Sequence, residues 1–234
     1  MQAISKHRAA RRLAVAITTV VVAVLTAASS QNSHAQYDPQ SLRAVAVHVL
    51  QDPPQSWTGY GIYLRDGLVI TAAHVVGAAA HAKPSIRIAD QLLPARVLKE
   101  SPLEKDDLTL LGFEGASLPV SLRLRRTPLC EDAPIADEPV LVAIPEETAP
   151  SHIMSPKRLP RRYQVRFASV IADVATTGNS GSGVFRAGRR CLLGIMSRKI
   201  QIRPSGDRSS EPKDIAKYFV PASVIRAFLP VDYR

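Results

Sequence analysis

The chain has 234 residues and a formal net charge of +10 at pH 7, with 30 lysines and arginines against 20 aspartates and glutamates. Hydrophobic residues make up 46% and charged residues 21% of it, and these near-average fractions exclude a wholly disordered chain. Eighteen prolines and only 5% aromatic residues favour a loop-rich β-protein over a helical bundle.

Residues 1–35 predict an export signal. Four basic residues precede an apolar run from Leu13 to Ala28, and the sequence Ser-His-Ala at 33–35 offers a cleavage site before Gln36. The apolar run is shorter than the roughly 20 residues that a membrane-spanning helix prefers, although an uncleaved anchor remains an alternative. Because the signal holds four basic and no acidic residues, part of the basic excess belongs to targeting rather than to ligand binding.

Short strand-like runs between turn residues follow the signal. The candidate strands of a first group are Val45–Leu50, Gly59–Leu64, Leu68–Thr71, Ser85–Ala89, Leu93–Leu98 and Leu108–Phe113. After a proline- and acid-rich stretch, those of a second group are Val140–Ile144, Tyr163–Ile171, Gly183–Phe185, Cys191–Met196 and Lys217–Val220. This spacing predicts an all-β barrel or sandwich, and the interruption at Thr127–Pro139 predicts two similar halves. Only Pro221–Leu229 has helical spacing.

Two cysteines, Cys130 and Cys191, belong to the mature part of the chain. An exported chain meets an oxidising compartment, so the pair is a candidate disulfide, with two buried thiols as the alternative. Neither cysteine has a second cysteine or a histidine at the spacing of zinc ligands. We therefore expect no metal site and no cofactor.

Three segments carry candidate chemistry, in the order histidine, aspartate, serine. An apolar strand runs into a small-residue turn that presents His74, the adjacent Asp106 and Asp107 stand at the start of another strand, and a glycine-rich turn holds Ser180. A serine hydroxyl needs a base to become a nucleophile, an imidazole suits that role, and a buried carboxylate fixes the imidazole's tautomer. The amides of Gly178 and Ser180 are the candidate donors of an oxyanion hole.

These segments resemble the trypsin/chymotrypsin-like serine peptidase family, and in particular its compact bacterial branches. The sequences Thr-Ala-Ala-His, Asp-Leu-Thr-Leu-Leu and Gly-Asn-Ser-Gly-Ser match the family blocks around histidine, aspartate and serine. The resemblance implies two six-stranded antiparallel β-barrels with the catalytic residues between them, at about 45–125 and 138–222 within a domain of 36–234, and a C-terminal helix at about 221–229. It favours Asp107 over Asp106 as the acid, beside His74 and Ser180.

The expected function is that of an exported serine endopeptidase, periplasmic or secreted, acting through an acyl-enzyme on a protein or peptide substrate. The alternative is a non-catalytic binding protein of the same fold. Proteases of the high-temperature-requirement type share Gly-Asn-Ser-Gly but add a C-terminal peptide-binding domain, for which the residues after Ser180 leave little room. The basic run Lys157–Arg162 lacks interleaved aromatic residues for base stacking, so we expect no nucleic-acid partner. We also expect no membrane contact after removal of the signal, and a monomer.

The sequence indicates the substrate specificity less clearly than the candidate catalytic residues. The turn around Ser180 is most similar to glutamyl endopeptidases, although these carry a histidine where Met196 falls and an extra glycine before the asparagine. The candidate substrate-binding residues, placed by the resemblance, are Val174, Ala175, Met196, Ser197 and Arg198. The uncharged Val174 and Ala175 argue against a preference for lysine or arginine. Arg198 and Lys199 either border the pocket and favour an acidic residue, or are solvated edge charges.

Overall fold

The computed structural model describes residues 39–51, 59–164, 169–172, 180–202 and 211–231. The predicted signal at 1–35 lies outside these residues. The described strands form two closed antiparallel barrels of six strands each, so the all-β prediction is confirmed. Among the described helices, none combines the length and the apolar character needed to cross a membrane.

The first barrel is built from the first group of predicted strands. Its members are β1 (Ala46–Leu50), β2 (Gly59–Arg65), β3 (Leu68–Thr71), β4 (Ser85–Ile88), β5 (Gln91–Ser101) and β6 (Leu108–Phe113). They pair in the order β1-β2-β3-β6-β5-β4, and β4 closes onto β1. In β5, Leu93, Ala95 and Val97 pack on the core while Leu92 and Leu98 are exposed, the alternation expected of a strand with one buried face.

The second barrel follows the proline- and acid-rich stretch. Its members are β7 (Pro139–Ala143), β8 (Thr148–Met154), β9 (Val170–Ile171), β10 (Gly183–Arg186), β11 (Leu192–Ile202) and β12 (Lys213–Pro221). They pair in the order β10-β11-β12-β9-β8-β7, and β7 closes onto β10. Each barrel therefore repeats the strand order of the other.

Within the described residues, helices are few and short. They are α1 (Pro39–Arg43), α2 (Ala73–Val76), α3 (Val120–Arg123), α4 (Arg161–Gln164) and α5 (Ala222–Phe228), with one 3₁₀ turn at Pro156–Arg158. Helix α5 is the predicted C-terminal helix. Its N-cap is Pro221, whose extended backbone ends β12, and its Ala222, Ile225 and Phe228 are buried at helical spacing.

The structure departs from the predicted strands in the part of the second barrel formed by β8 and β9. Tyr163 and Gln164, predicted to begin a strand, belong to α4, and the described strand there is limited to Val170–Ile171. Strand β8, which the sequence did not predict, pairs with both β7 and β9. Its residues alternate weakly in polarity and include Pro150, so the barrel partners rather than local propensity make it a strand.

Core packing joins the two barrels. The largest buried cluster contains Ile62 of β2 together with Phe185 and Ile195 of the second barrel. Gly183 of β10 lies against this cluster. A Cβ at its position would come within 2.7 Å of the Ile62 side chain and 2.6 Å of the Phe185 side chain. The absence of a side chain at Gly183 allows β10 to approach the first barrel closely, just after Ser180.

The cysteine pair joins the connection between the barrels to the second barrel. Cys130 and Cys191 form a disulfide across 61 residues of sequence. The backbone N–H of Cys130 also donates to the Leu192 carbonyl at 3.0 Å. The pairing predicted from the even cysteine count is therefore present.

Candidate active site

His74 lies in α2, which follows directly from β3. All four residues of β3 are buried, and the small side chains of Ala72 and Ala73 allow the chain to turn at once from strand to helix. Gly77, with φ of 76°, ends the helix, and its N–H donates to the Ala73 carbonyl at 3.0 Å. The side chain of His74 is 25% exposed, which leaves it open to a ligand.

Asp107 ends the loop before β6, and its side chain is fully buried. Its Oδ1 accepts a hydrogen bond from the backbone N–H of His74 at 3.1 Å, and His74 Nδ1 lies 3.0 Å from Oδ1 and 2.9 Å from Oδ2. The hydroxyl of Ser197 donates to Oδ2. Because an ionised carboxylate only accepts, Nδ1 of His74 carries the hydrogen in this contact, and Nε2 is the ring nitrogen that can accept a proton.

The carboxyl group of Asp107 stays ionised despite its burial. Burial by itself raises its pKa, but the hydrogen bonds from His74 and Ser197 and the charge of His74 together hold the pKa of Asp107 below its ordinary value. Asp107 is therefore a carboxylate at neutral pH.

The neighbouring Asp106 has a different partner. Its Oδ2 accepts a hydrogen bond from the Ser101 hydroxyl at 2.9 Å. Of the two adjacent acids, Asp107 is the one within hydrogen-bond distance of the His74 ring. Asp107 also has a φ of 53°, a backbone conformation that few residues other than glycine adopt.

Ser180 stands just before β10 and is held from both barrels. Its carbonyl accepts a hydrogen bond from the Tyr60 N–H of β2 at 3.0 Å, and the next N–H, of Gly181, donates to the Met196 carbonyl of β11 at 2.8 Å. Gly181 has φ of 88°, and a Cβ there would overlap the Tyr60 carbonyl. Glycine is thus required by backbone angle and by space.

Ser197 connects the nucleophile candidate to the acid. It is fully buried at a bulge in the β11–β12 pairing, between Met196 and Arg198. The Ser180 hydroxyl donates to its carbonyl at 3.0 Å, while its own hydroxyl donates to Asp107. The family resemblance places Ser197 among the substrate-binding residues, and its position after the glycine-rich turn gives no sign of this double contact.

The other predicted substrate-binding residues, and Lys199 next to them in sequence, have different surroundings in the structure. Met196 is buried in the core cluster of the second barrel. Arg198 extends to the first barrel, where its Nη2 donates to the Leu103 carbonyl at 2.8 Å. Lys199 Nζ lies 2.9 Å from Asp214 Oδ2, with 54% of its side chain exposed. Val174, Ala175 and the oxyanion-hole candidate Gly178 lie outside the described residues.

The described residues offer no cluster of three or more histidine, cysteine, aspartate or glutamate side chains that could hold a metal ion. The side chains of His74, Asp107 and Ser180 are themselves capable of acid–base and nucleophilic chemistry.

Solved structures of proteases share this fold. The Rv3671c protease from M. tuberculosis in its active form aligns with a TM-score of 0.58 at 17% identity, over 86% of this chain and 87% of that chain. Kallikrein-related peptidase 10 aligns at 0.56 and 17%, over 82% and 99%, and the serine endoprotease from Yersinia pestis at 0.55 and 17%, over 80% and 63%. At such identities the likeness establishes the fold alone. No curated protein sequence matches the chain.

A family model gives a direct assignment. The model of the trypsin-like peptidase domain matches residues 59–195, more than half of the chain. The matched span includes His74, Asp107 and Ser180, the residues that the sequence singled out. The chain therefore belongs to the trypsin-like peptidase domain family.

Proposed function

We propose that the chain is an exported serine endopeptidase that cleaves peptide bonds through an acyl-enzyme intermediate. The observation that carries the proposal is the contact of His74 Nδ1 with the buried carboxylate of Asp107 at 2.9 Å. Membership of a peptidase family and a shared partner, Ser197, for Ser180 and Asp107 support it. A non-catalytic binding protein would have no need for a buried, ionised carboxylate behind an accessible imidazole.

In the first half of the reaction, Ser180 attacks the peptide carbonyl. Its Oγ leaves the Ser197 carbonyl by rotation about χ1, gives its proton to His74 Nε2, and forms a bond to the carbonyl carbon. The carbonyl oxygen takes the electron pair, and the amides of Gly178 and Ser180 stabilise it. Collapse of this intermediate breaks the carbon–nitrogen bond, and the leaving amine takes the proton from His74, which leaves an acyl group on Ser180.

In the second half, water replaces the amine. Water gives a proton to His74 Nε2 as its oxygen bonds to the acyl carbon, and collapse then breaks the bond to Ser180 Oγ. The proton on His74 returns to Ser180, which restores the starting state. In both halves Asp107 holds the ring through Nδ1 and stabilises its positive charge without taking the proton.

Export is the second part of the proposal. Residues 1–35 have the basic start, apolar run and small-residue cleavage site of a signal peptide, so the mature chain begins at Gln36. The disulfide between Cys130 and Cys191 supports this, because disulfides persist in oxidising compartments such as the periplasm or the extracellular space. N-terminal sequencing of the secreted or periplasmic protein tests it, and a first residue before position 20 would contradict it.

Substrate preference is the finer part of the proposal. Val174 and Ala175, at the positions that the family resemblance assigns to the pocket floor, carry no charge to attract lysine or arginine. The resemblance to glutamyl endopeptidases supports a preference for acidic over basic residues before the scissile bond. Lys199 does not contribute to it, since its Nζ is paired with Asp214 Oδ2 at 2.9 Å. A peptide library differing only at that position tests this, and equal cleavage of acidic and basic peptides would disprove it.

The experiment that tests the catalytic assignment is labelling with a fluorophosphonate, in which an activated serine hydroxyl displaces fluoride and forms a bond to phosphorus. The mature protein is expected to take up one label per chain, and Ser180→Ala none. Ser182→Ala, with a fully buried serine two residues further along, is the control that keeps the label. Failure of the wild-type protein to react would favour the non-catalytic alternative.

A further inference from the structure

Arg198 connects the second barrel to the loop that carries the acid. It follows Ser197 on β11, and its Nη2 donates to the carbonyl of Leu103 at 2.8 Å. Its Nε donates to the Ser197 hydroxyl at 3.3 Å. Nη2 also lies 4.0 Å from Asp107 Oδ2, and 23% of the side chain is exposed. One guanidinium thus contacts a backbone carbonyl, a hydroxyl and a carboxylate of the same site.

The loop held by this contact runs from Pro102 to Asp107, between β5 and β6. Inside it, the N–H groups of Lys105 and Asp107 donate to the Pro102 carbonyl at 2.9 and 3.0 Å. The loop ends at Asp107 with φ of 53°. A non-glycine residue keeps such a conformation only when surrounding contacts enforce it. Arg198 supplies a contact of this kind from the opposite barrel.

Charge gives a second reason for an arginine at this position. Asp107 is a fully buried carboxylate, and a buried charge is unfavourable unless it is paired and hydrogen-bonded. The guanidinium of Arg198 provides positive charge 4.0 Å from its Oδ2. Arginine is planar and has five N–H donors in a fixed arrangement, so it reaches several acceptors at once. The ammonium of a lysine lacks that geometry.

We propose that Arg198 is a positioning residue: its guanidinium fixes the Pro102–Asp107 loop against β11 and so holds the Asp107 carboxylate in the orientation that His74 requires. The inference rests on the proposed serine peptidase function and assigns to Arg198 a role other than lining the substrate pocket. A pocket-lining arginine would act on substrate binding. A residue that acts through Asp107 alters the chemical step for every substrate alike.

Steady-state kinetics separate these roles. Wild-type enzyme, Arg198→Met and Arg198→Lys are compared on two peptides that differ only in glutamate or glutamine before the scissile bond. We expect Arg198→Met to lower kcat at least about tenfold on both peptides, with KM changed less than about twofold, because a small misplacement of a catalytic group costs rate rather than affinity. Arg198→Lys, which keeps the charge, is expected to restore kcat in part.

The control variant is Arg189→Met. Arg189 is also an arginine of the second barrel in contact with a carboxylate, that of Asp132 at 3.3 Å, and its side chain is 67% exposed. Its removal is expected to leave kcat and KM unchanged. Melting temperatures of all variants show whether any loss of kcat accompanies loss of the fold.

Three results would overturn the proposal. They are an unchanged kcat in Arg198→Met, a rise in KM confined to the glutamate peptide, and a fall in kcat no larger than that of Arg189→Met. If Arg198→Met does not fold, Arg198→Lys decides, and a kcat equal to wild type then overturns the proposal. If the wild-type protein neither reacts with fluorophosphonate nor cleaves peptides, the proposed function itself fails and this inference fails with it.

Discussion

At the scale of single residues, Ser197 connects the candidate nucleophile to the candidate acid. Its carbonyl accepts the Ser180 hydroxyl and its hydroxyl donates to Asp107. Both contacts come from one buried residue at a β-bulge, where the register between β11 and β12 shifts. The carboxylate and the nucleophile candidate are thereby fixed to the same point of β11.

We expect Ser197→Ala to lower kcat about tenfold, because Asp107 loses one of the hydrogen bonds that orient it and that hold its pKa low. The carbonyl that accepts Ser180 remains in place. Ser101→Ala is the matched control, since it removes a serine hydroxyl from the neighbouring Asp106. Peptide hydrolysis by the two variants provides the measurement, and equal kcat values would show that the Ser197 hydroxyl does not matter.

The ionised state of Asp107 also predicts a pH dependence of stability. Because its pKa in the folded protein is lower than in the unfolded chain, the unfolded chain binds more protons near pH 4. The stability that Asp107 contributes is thus complete above its ordinary pKa and is lost as pH falls through the folded value. The Asp107→Asn variant has no titratable group at this position, so it lacks this pH dependence.

The melting temperatures of wild type and Asp107→Asn are therefore expected to converge as pH is lowered from about 6 to 3. At neutral pH the variant is less stable, since the charge-assisted hydrogen bonds from His74 and Ser197, worth about 2 kcal/mol or more, are weakened. Calorimetry across this range provides the test. A difference that stays constant or widens towards acid pH would be inconsistent with a lowered pKa.

At the scale of elements, the turn before β10 is the point where the two barrels meet at the site. The Ser180 carbonyl accepts a hydrogen bond from the Tyr60 N–H of β2, and the Gly181 N–H donates one to the Met196 carbonyl of β11. The turn therefore needs both the left-handed backbone of Gly181 and a residue without a Cβ. Element packing, rather than the turn's own sequence, decides where the nucleophile candidate lies.

We expect Gly181→Ala to destabilise the protein by about 2 kcal/mol or more and to abolish peptide hydrolysis, since the added Cβ overlaps the Tyr60 carbonyl. Gly188→Ala is the control. Gly188 has a similar φ of 79° but nothing within 4 Å of its would-be Cβ, so only the backbone cost of about 1 kcal/mol applies. Denaturant unfolding and activity of both variants are measured, and equal effects would refute the steric argument.

Much of the fold could be predicted from the sequence. Apolar runs separated by turn residues located most strands. Three motifs singled out His74, Asp107 and Ser180, of which His74 and Asp107 lie within hydrogen-bond distance of each other. Those signals are local. Strand β8 and the contacts of Ser197 and Arg198 were not predictable, because β8 forms only between its two neighbours and both residues bind partners in the other barrel.

At the scale of the whole molecule, the disulfide stabilises the connection between the barrels. It closes 61 residues of sequence that include β7 to β10. We expect Cys130→Ala with Cys191→Ala to lower the free energy of unfolding by about 4 kcal/mol. Unfolding of the wild-type protein in reductant should match the double variant, which itself should not respond to reductant. A wild-type protein insensitive to reductant under denaturing conditions would argue against a stabilising disulfide.

The most direct test of the central claim is burst kinetics with an activated ester. If Ser180 forms an acyl-enzyme, mixing the mature protein with excess ester releases one equivalent of leaving group rapidly before slower turnover. Mass spectrometry of the quenched reaction then locates the acyl group on Ser180, and Ser180→Ala gives neither burst nor adduct. Turnover by wild-type protein that is fully retained in Ser180→Ala, or an adduct on another residue, would contradict the account.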